Sequence, residues 1–180
     1  MKQSLFFKIK RRFVFFLVNH TFVGTKHFPV KRKLLNSIRI SVGEGTKVVG
    51  PLYCTGRLTI GKDCWVGHNF RVEGNGEVTV GDRCDIAPDV TFYTGGHELG
   101  SAERRAGVGA SYRQSVGDGT WLGARTAIIN ETRVGNGCVV AACACVVHDV
   151  EDHTLVGGVP AKPIRKLPVD TEAAEVADRS

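Results

Sequence analysis

From Val42 onward the chain carries an apolar residue at every sixth position: Val42, Val48, Cys54, Ile60, Val66 and Val72. A two-residue slip at "VTV" resets the phase, which then runs Val80, Ile86, Phe92. After a gap it resumes as Val116, Leu122, Ile128, Val134, Val140 and Val146. With 42% of the chain apolar, fifteen unbroken hits in a fixed phase would arise by chance about twice in a million, before the phase shifts are discounted. The repeat is therefore structural. The residue after each of these is often glycine (Gly43, Gly61, Gly67, Gly81, Gly117, Gly123, Gly135), and four places on sit small or apolar residues. Among those are Thr46, Leu58, Cys64, Cys84, Val90, Thr120, Thr126, Thr132, Cys138 and Ala144, none of them charged.

A period of six cannot follow one face of a helix, but it is a multiple of the strand period of two. Short strands joined by tight turns fit it, and three such sides close a triangular coil of 18 residues, the spacing from Gly43 to Gly61 and from Gly117 to Gly135. The pattern predicts an all-β, parallel β-helix of about five coils over residues 41–151, each coil stacked ~4.8 Å from the last through main-chain hydrogen bonds. Residues 1–40 precede it, and a C-terminal segment and tail, 152–180, follow.

The gap lies in "FYTGGHELGSAERRAG", residues 92–107. Between His97 and Val116 there is one coil's worth of chain, yet positions 98, 104 and 110 are Glu, Arg and Ala. The ladder is broken, so a loop over 98–115 is expected to protrude. Long ordered loops in compact repeats are usually functional. An imidazole titrating near neutrality suits deprotonation of a hydroxyl or amine, which makes His97 the candidate general base.

Charge changes the picture at one end only. Residues 1–40 hold ten Lys/Arg and no acid; the rest holds 14 Lys/Arg against 18 Asp/Glu, so +10 and −4 give the net +6. The body is mildly acidic, which argues against a nucleic-acid-binding protein. Within "SLFFKIKRRFVFFLVNHTFV" the longest apolar run, Phe13–Val18, is six residues, against the ~20 that span a bilayer, and no small-residue cleavage site follows it. The segment reads as a basic amphipathic helix, to be packed on its own domain or a neighbouring subunit, or rested on an anionic membrane surface. The six cysteines form no Cys-x-x-Cys pair. Cys54, Cys64, Cys84 and Cys138 fall in core places as small hydrophobes, Cys143 and Cys145 fall at a corner, and a reducing cytoplasm is the default compartment. The acidic, small-residue tail 168–180 is expected to be a frayed helix or disordered.

"TGGHELGSAERRAG" resembles the loop of the hexapeptide-repeat acetyltransferases that act on maltose, galactosides and related sugars, through His97, Leu99, Glu103 and Arg104. "VGDGTWLGART" and "LVGGVPAKPIRKL" (155–167) resemble two further motifs of that family, in the same order, so the likeness covers about residues 50–167. The resemblance implies a left-handed β-helix, a homotrimer with sites between subunits, and acetyl-CoA as co-substrate with no metal. It implies His97 as general base for attack by a hydroxyl on the thioester, with Glu98 and Glu103 the acids available to orient the ring. Trp121, Gly123, Ala124, Ala141 and Ala142 would line the CoA channel, and Lys162 and Arg165 would meet its phosphates. The family's Asn-x-Asn-Phe appears as "GHNF" (67–70) and an acidic acceptor contact is replaced by Asn75. Asn69 and Asn75 remain the acceptor-side candidates, while the acceptor itself does not transfer. The basic N-terminus resembles acetyltransferases of capsule, exopolysaccharide and lipopolysaccharide assembly, which implies a saccharide acceptor and a cytoplasmic enzyme peripheral to the membrane.

Three other readings compete. A serine-type or amino-group acceptor would use the same base. A non-catalytic β-helix scaffold would have no CoA affinity. A zinc-dependent carbonic anhydrase of the same prism needs three converging histidines, and this chain offers only the pair His148 and His153 with no third at a suitable distance upstream.

Overall fold

The computed structural model describes residues 4–169; the tail expected to fray lies, from residue 170, outside them. The first coil is β1 (Ile40–Val42), β2 (Lys47–Val48) and β3 (Leu52–Cys54). The second is β4 (Arg57–Ile60), β5 (Trp65–Val66) and β6 (Phe70–Glu73), and the third is β7 (Glu77–Val80), β8 (Asp85–Ile86) and β9 (Thr91–Tyr93). An antiparallel hairpin follows, β10 (Gly95–Leu99) and β11 (Ala106–Ser111). The fourth coil is β12 (Arg113–Val116), β13 (Trp121–Leu122) and β14 (Ala127–Ile129); the fifth is β15 (Arg133–Val134), β16 (Val139–Val140) and β17 (Cys145–Val146). A partial sixth turn bridges Val150 to Val134 and adds β18 (Thr154–Gly158), against which β19 (Ala161–Lys166) folds back antiparallel.

Strands of equal rank stack in parallel into three faces: face A (β1-β4-β7-β12-β15), face B (β2-β5-β8-β13-β16-β18, edged by β19) and face C (β3-β6-β9-β14-β17). All fifteen ladder residues point inward and are buried, as are the ten small or apolar residues four places on. Glycine follows the ladder residue because neighbouring coils touch there: a Cβ at Gly123 would lie 2.6 Å from the Ala142 nitrogen. Phe70 and Phe92 pack ring on ring, 5.6 Å apart, where face C crosses the core. Cys54, Cys64, Cys84 and Cys138 are buried and unpaired, while Cys143 is exposed.

The chain rejoins the prism earlier than the broken ladder suggests. The excursion expected over 98–115 is a hairpin rooted at Gly95 and closed by Ser111, and Arg113–Val116 already sits between β7 and β15 on face A. Gln114 hides this return, because a polar side chain occupies the inward place that Val78 holds on β7.

Two helices cover the N-terminal end. α1 (Leu5–Phe16) runs into a π-helical turn (Leu17–Thr21) and is followed by α2 (Phe28–Asn36). The first coil has no predecessor, so its upper main-chain groups need partners from elsewhere. The helices supply them. Arg11 Nη2 donates to Cys54 O at 2.6 Å. Asn19 exchanges two hydrogen bonds with the Leu52 backbone, at 3.0 and 2.9 Å. Asn36 does the same with Val42, at 3.2 and 2.7 Å. Lys31 Nζ donates to Gly24 O at 2.6 Å and to Val49 O at 3.1 Å. Val14, Val18 and Leu35 extend the apolar core into this cap.

Candidate active site

The hairpin leaves the prism at the corner between faces C and A and carries His97 out with it. His97 lies opposite Gly109 across the hairpin and is exposed. Its Nδ1 lies 3.0 Å from the carbonyl oxygen of Gly107. A carbonyl only accepts, so in the neutral ring Nδ1 carries the proton and Nε2 keeps the free lone pair. That is the tautomer a general base requires. The ring's partner in the chain is thus a main-chain carbonyl. Glu98 and Glu103 are both exposed, and among the described residues neither carboxylate hydrogen-bonds the ring. Glycines let the hairpin close tightly: a Cβ at Gly96 would lie 2.8 Å from the Tyr112 hydroxyl, which packs over the root of the arm.

Asn75 sits on the turn between β6 and β7, one coil from the arm's root. A Cβ on its neighbour Gly74 would lie 2.5 Å from the Gly95 nitrogen. Asn69 is elsewhere, at the corner between faces B and C, with positive φ and its Nδ2 3.0 Å from Asp89 Oδ1. Face C separates the two asparagines. His68, beside Asn69, holds the Gly50 carbonyl at 2.8 Å and so ties one coil to the one above.

The residues expected to face CoA cluster away from the arm. Trp121 projects from face B, and across Asp85 in the same register row stands Trp65. The two indoles flank a shallow cleft of about 420 Å³ that reaches Ala87 and Pro88. At the next corner Gly123 and Ala124 stack on Ala141, Ala142 and Cys143, with the Cys143 nitrogen donating to Ala124 O at 2.8 Å. Arg165 ends the row Trp121–Val139–Leu155–Arg165, three strand spacings or about 14 Å from Trp121. Lys162 lies opposite Gly157 and, with Arg165, lines a cleft of about 550 Å³ at the C-terminal end. Trp65 was not singled out from the sequence, although a signal for it exists: like Trp121, it immediately precedes a ladder residue. Gly107 could not have been found, because its part is played by a carbonyl that every residue has.

His97 leaves the prism at the corner between faces C and A, while Gly123, Ala124 and Ala142 sit at the corner between faces B and C, so the width of face C separates the two corners, about 15 Å at ~3.3 Å per strand residue. The arm also carries Leu99 and Val108, both exposed in the single chain. Among the described residues no three potential metal ligands converge.

The chain is similar to the galactoside O-acetyltransferase of Escherichia coli, 27% identical over 139 residues that span 76% of this chain and 68% of that protein. It is also similar to a hexapeptide-repeat-containing acetyltransferase from Vibrio cholerae solved with acetyl coenzyme A. That likeness has a TM-score of 0.77 and 26% identity over 91% of this chain and 88% of the other. A galactoside acetyltransferase solved with coenzyme A shares the fold, with a TM-score of 0.69 and 20% identity over 93% and 86% of the two chains. The coils accordingly belong to the left-handed β-helices. No family model matches the chain.

Proposed function

We propose that the chain is a hexapeptide-repeat acetyltransferase, a reading its similarity to such enzymes supports, and that it moves an acetyl group from acetyl-CoA to a hydroxyl of a saccharide, with His97 as general base. The observation that carries this reading is the Gly107 carbonyl on Nδ1, which leaves Nε2 as an acceptor at the exposed side of the arm. Nε2 takes the acceptor's proton as its oxygen attacks the thioester carbon. The C–S bond then breaks, and the imidazolium returns the proton to the departing CoA sulfur. A thioester is already activated, so position and a base suffice without a covalent enzyme intermediate.

On the donor side, Trp121 flanks the pantetheine arm, Gly123, Ala124 and Ala142 line its channel, and Lys162 and Arg165 meet the phosphates. Asn75 is placed on the acceptor side with the arm, and Asn69 reaches the acceptor only from another corner or another copy. We assign the complete site to two copies of a homotrimer, the arm of one facing the donor corner of the next. The separation across face C and the uncovered Leu99 and Val108 support this arrangement. The acceptor is presented at a membrane face.

Calorimetry with acetyl-CoA is the test. Wild type binds it; Lys162→Ala/Arg165→Ala binds it weakly. His97→Ala keeps the binding but loses about 10²–10⁴-fold in CoA release with hydroxylated acceptors. A folded protein that binds no CoA would refute the reading in favour of a scaffold.

A further inference from the structure

We propose that the outward face of α1 docks on an anionic lipid surface. The inward face is already committed to the prism, through buried Val14 and through Arg11, which donates to Cys54 O and Ile38 O. At about 100° per residue, Leu5, Phe16, Ile9, Phe13 and Phe6 fall in that angular order within a sector about 100° wide on the other side. They are 74, 55, 59, 61 and 78% exposed. Lys10 lies about 40° beyond the Phe6 edge of this strip, and Arg12 and Lys8 lie about 20° and 60° beyond the Leu5 edge. The strip is apolar and bordered by cations on both sides.

The charge pattern selects the occupant. No acid precedes Glu44 in the sequence, and among the described residues no ion pair involves Lys8, Lys10 or Arg12. A second copy laid on the strip would set these cations against themselves. An anionic bilayer answers both features at once, with headgroup phosphates for the borders and the acyl boundary for the phenylalanines. The helix lies on such a surface; none among the described residues is long and apolar enough to cross it.

The placement has a consequence for the acceptor, and that step rests on the acetyltransferase reading. Arg12 and Phe16 also form one wall of a cleft of about 430 Å³ whose other wall is face C, at Tyr53, Arg71 and Glu73. Glu73 pairs with Tyr93, two residues before the root of the arm that carries His97. A docked enzyme holds this cleft at the level of the headgroups, where a lipid-anchored saccharide enters head first.

The experiment is flotation with phosphatidylglycerol/phosphatidylcholine vesicles and with phosphatidylcholine alone, for wild type, Phe6→Ser/Phe13→Ser and Lys8→Gln/Lys10→Gln. Wild type floats with the anionic vesicles and far less with the zwitterionic ones. Each double variant loses about tenfold in vesicle affinity while keeping its unfolding midpoint and its CoA binding. Three results would overturn the proposal: wild type that does not float with anionic vesicles, variants that float as well as wild type, or a Phe6→Ser/Phe13→Ser protein that sediments as a smaller assembly, which would mean a second copy covers the strip. Vesicle binding needs no acetyl transfer, so the calorimetry above separates a failed lipid surface from a failed enzyme.

Discussion

Gln114 stands in an inward row whose other members are Ile40, Leu58 and Val78. Its Nε2 lies 3.1, 3.2 and 2.8 Å from the carbonyl oxygens of Tyr93, Ile128 and Asn130, around the corner where the arm interrupts the coil. Removing a buried donor strands the carbonyls it served. The Gln114 Oε1 is itself buried without a partner, which offsets part of that cost, so Gln114→Leu is expected to lose about 1 kcal/mol, read as a fall in the urea midpoint at unchanged slope. An unchanged or raised midpoint would mean that relief of the stranded Oε1 outweighs the three lost contacts. The same logic in reverse explains His97: one carbonyl, on Gly107, decides which nitrogen of the ring is free.

Among the elements, α2 shows how a basic segment comes to cap an apolar prism. Lys31 is fully buried, its Nζ between two carbonyl oxygens and 4.6 Å above the Phe28 ring. Burial penalises the ammonium and lowers its pKa to about 8, from 10.5. Above pH 8 the folded chain releases this proton while the unfolded chain holds it, up to about 10.5. Stability from this site therefore rises with pH across that window and is flat below it. Measured against Lys31→Met, the wild type should gain in unfolding free energy between pH 8 and pH 10. A difference that stays level or falls would show that Lys31 keeps its charge in the folded state. The arm is an element of another kind, holding its main-chain bonds within its own hairpin.

At the scale of the whole molecule, the arm of His97 and the corner at Gly123 and Ala124 occupy opposite edges of one face, and the proposed site spans two copies. Unfolding and refolding an equimolar mixture of His97→Ala and Lys162→Ala/Arg165→Ala tests this directly. Random reassembly pairs an intact arm with an intact donor corner at about a quarter of interfaces. The mixture should recover about that fraction of wild-type turnover, although each variant alone is nearly inactive. If the refolded mixture stays at the variants' own level, each chain builds its site alone.

How much of this was legible in sequence depends on whether the signal is a repeat. Val42 through Val146 announce the prism because each coil must present a side chain of one kind to the same narrow core, and a period of six survives any detail of the turns. The interruption at His97 was legible for the same reason, as a failure of that period. Its limits were not, because Gln114 is buried by three carbonyl partners 14 to 21 residues away, on its own coil and the one before it. The basic, apolar N-terminus was legible as amphipathic. Which face meets the prism was decided only by the open main-chain groups of the first coil, which Arg11, Asn19 and Lys31 fill. The sequence by itself determined the coil and the residue that leaves it, since these follow from local periodicity. Only the tertiary structure decided the tautomer of His97, the separation of Asn69 from Asn75 and the outward strip of α1, since each depends on which distant backbone a side chain meets.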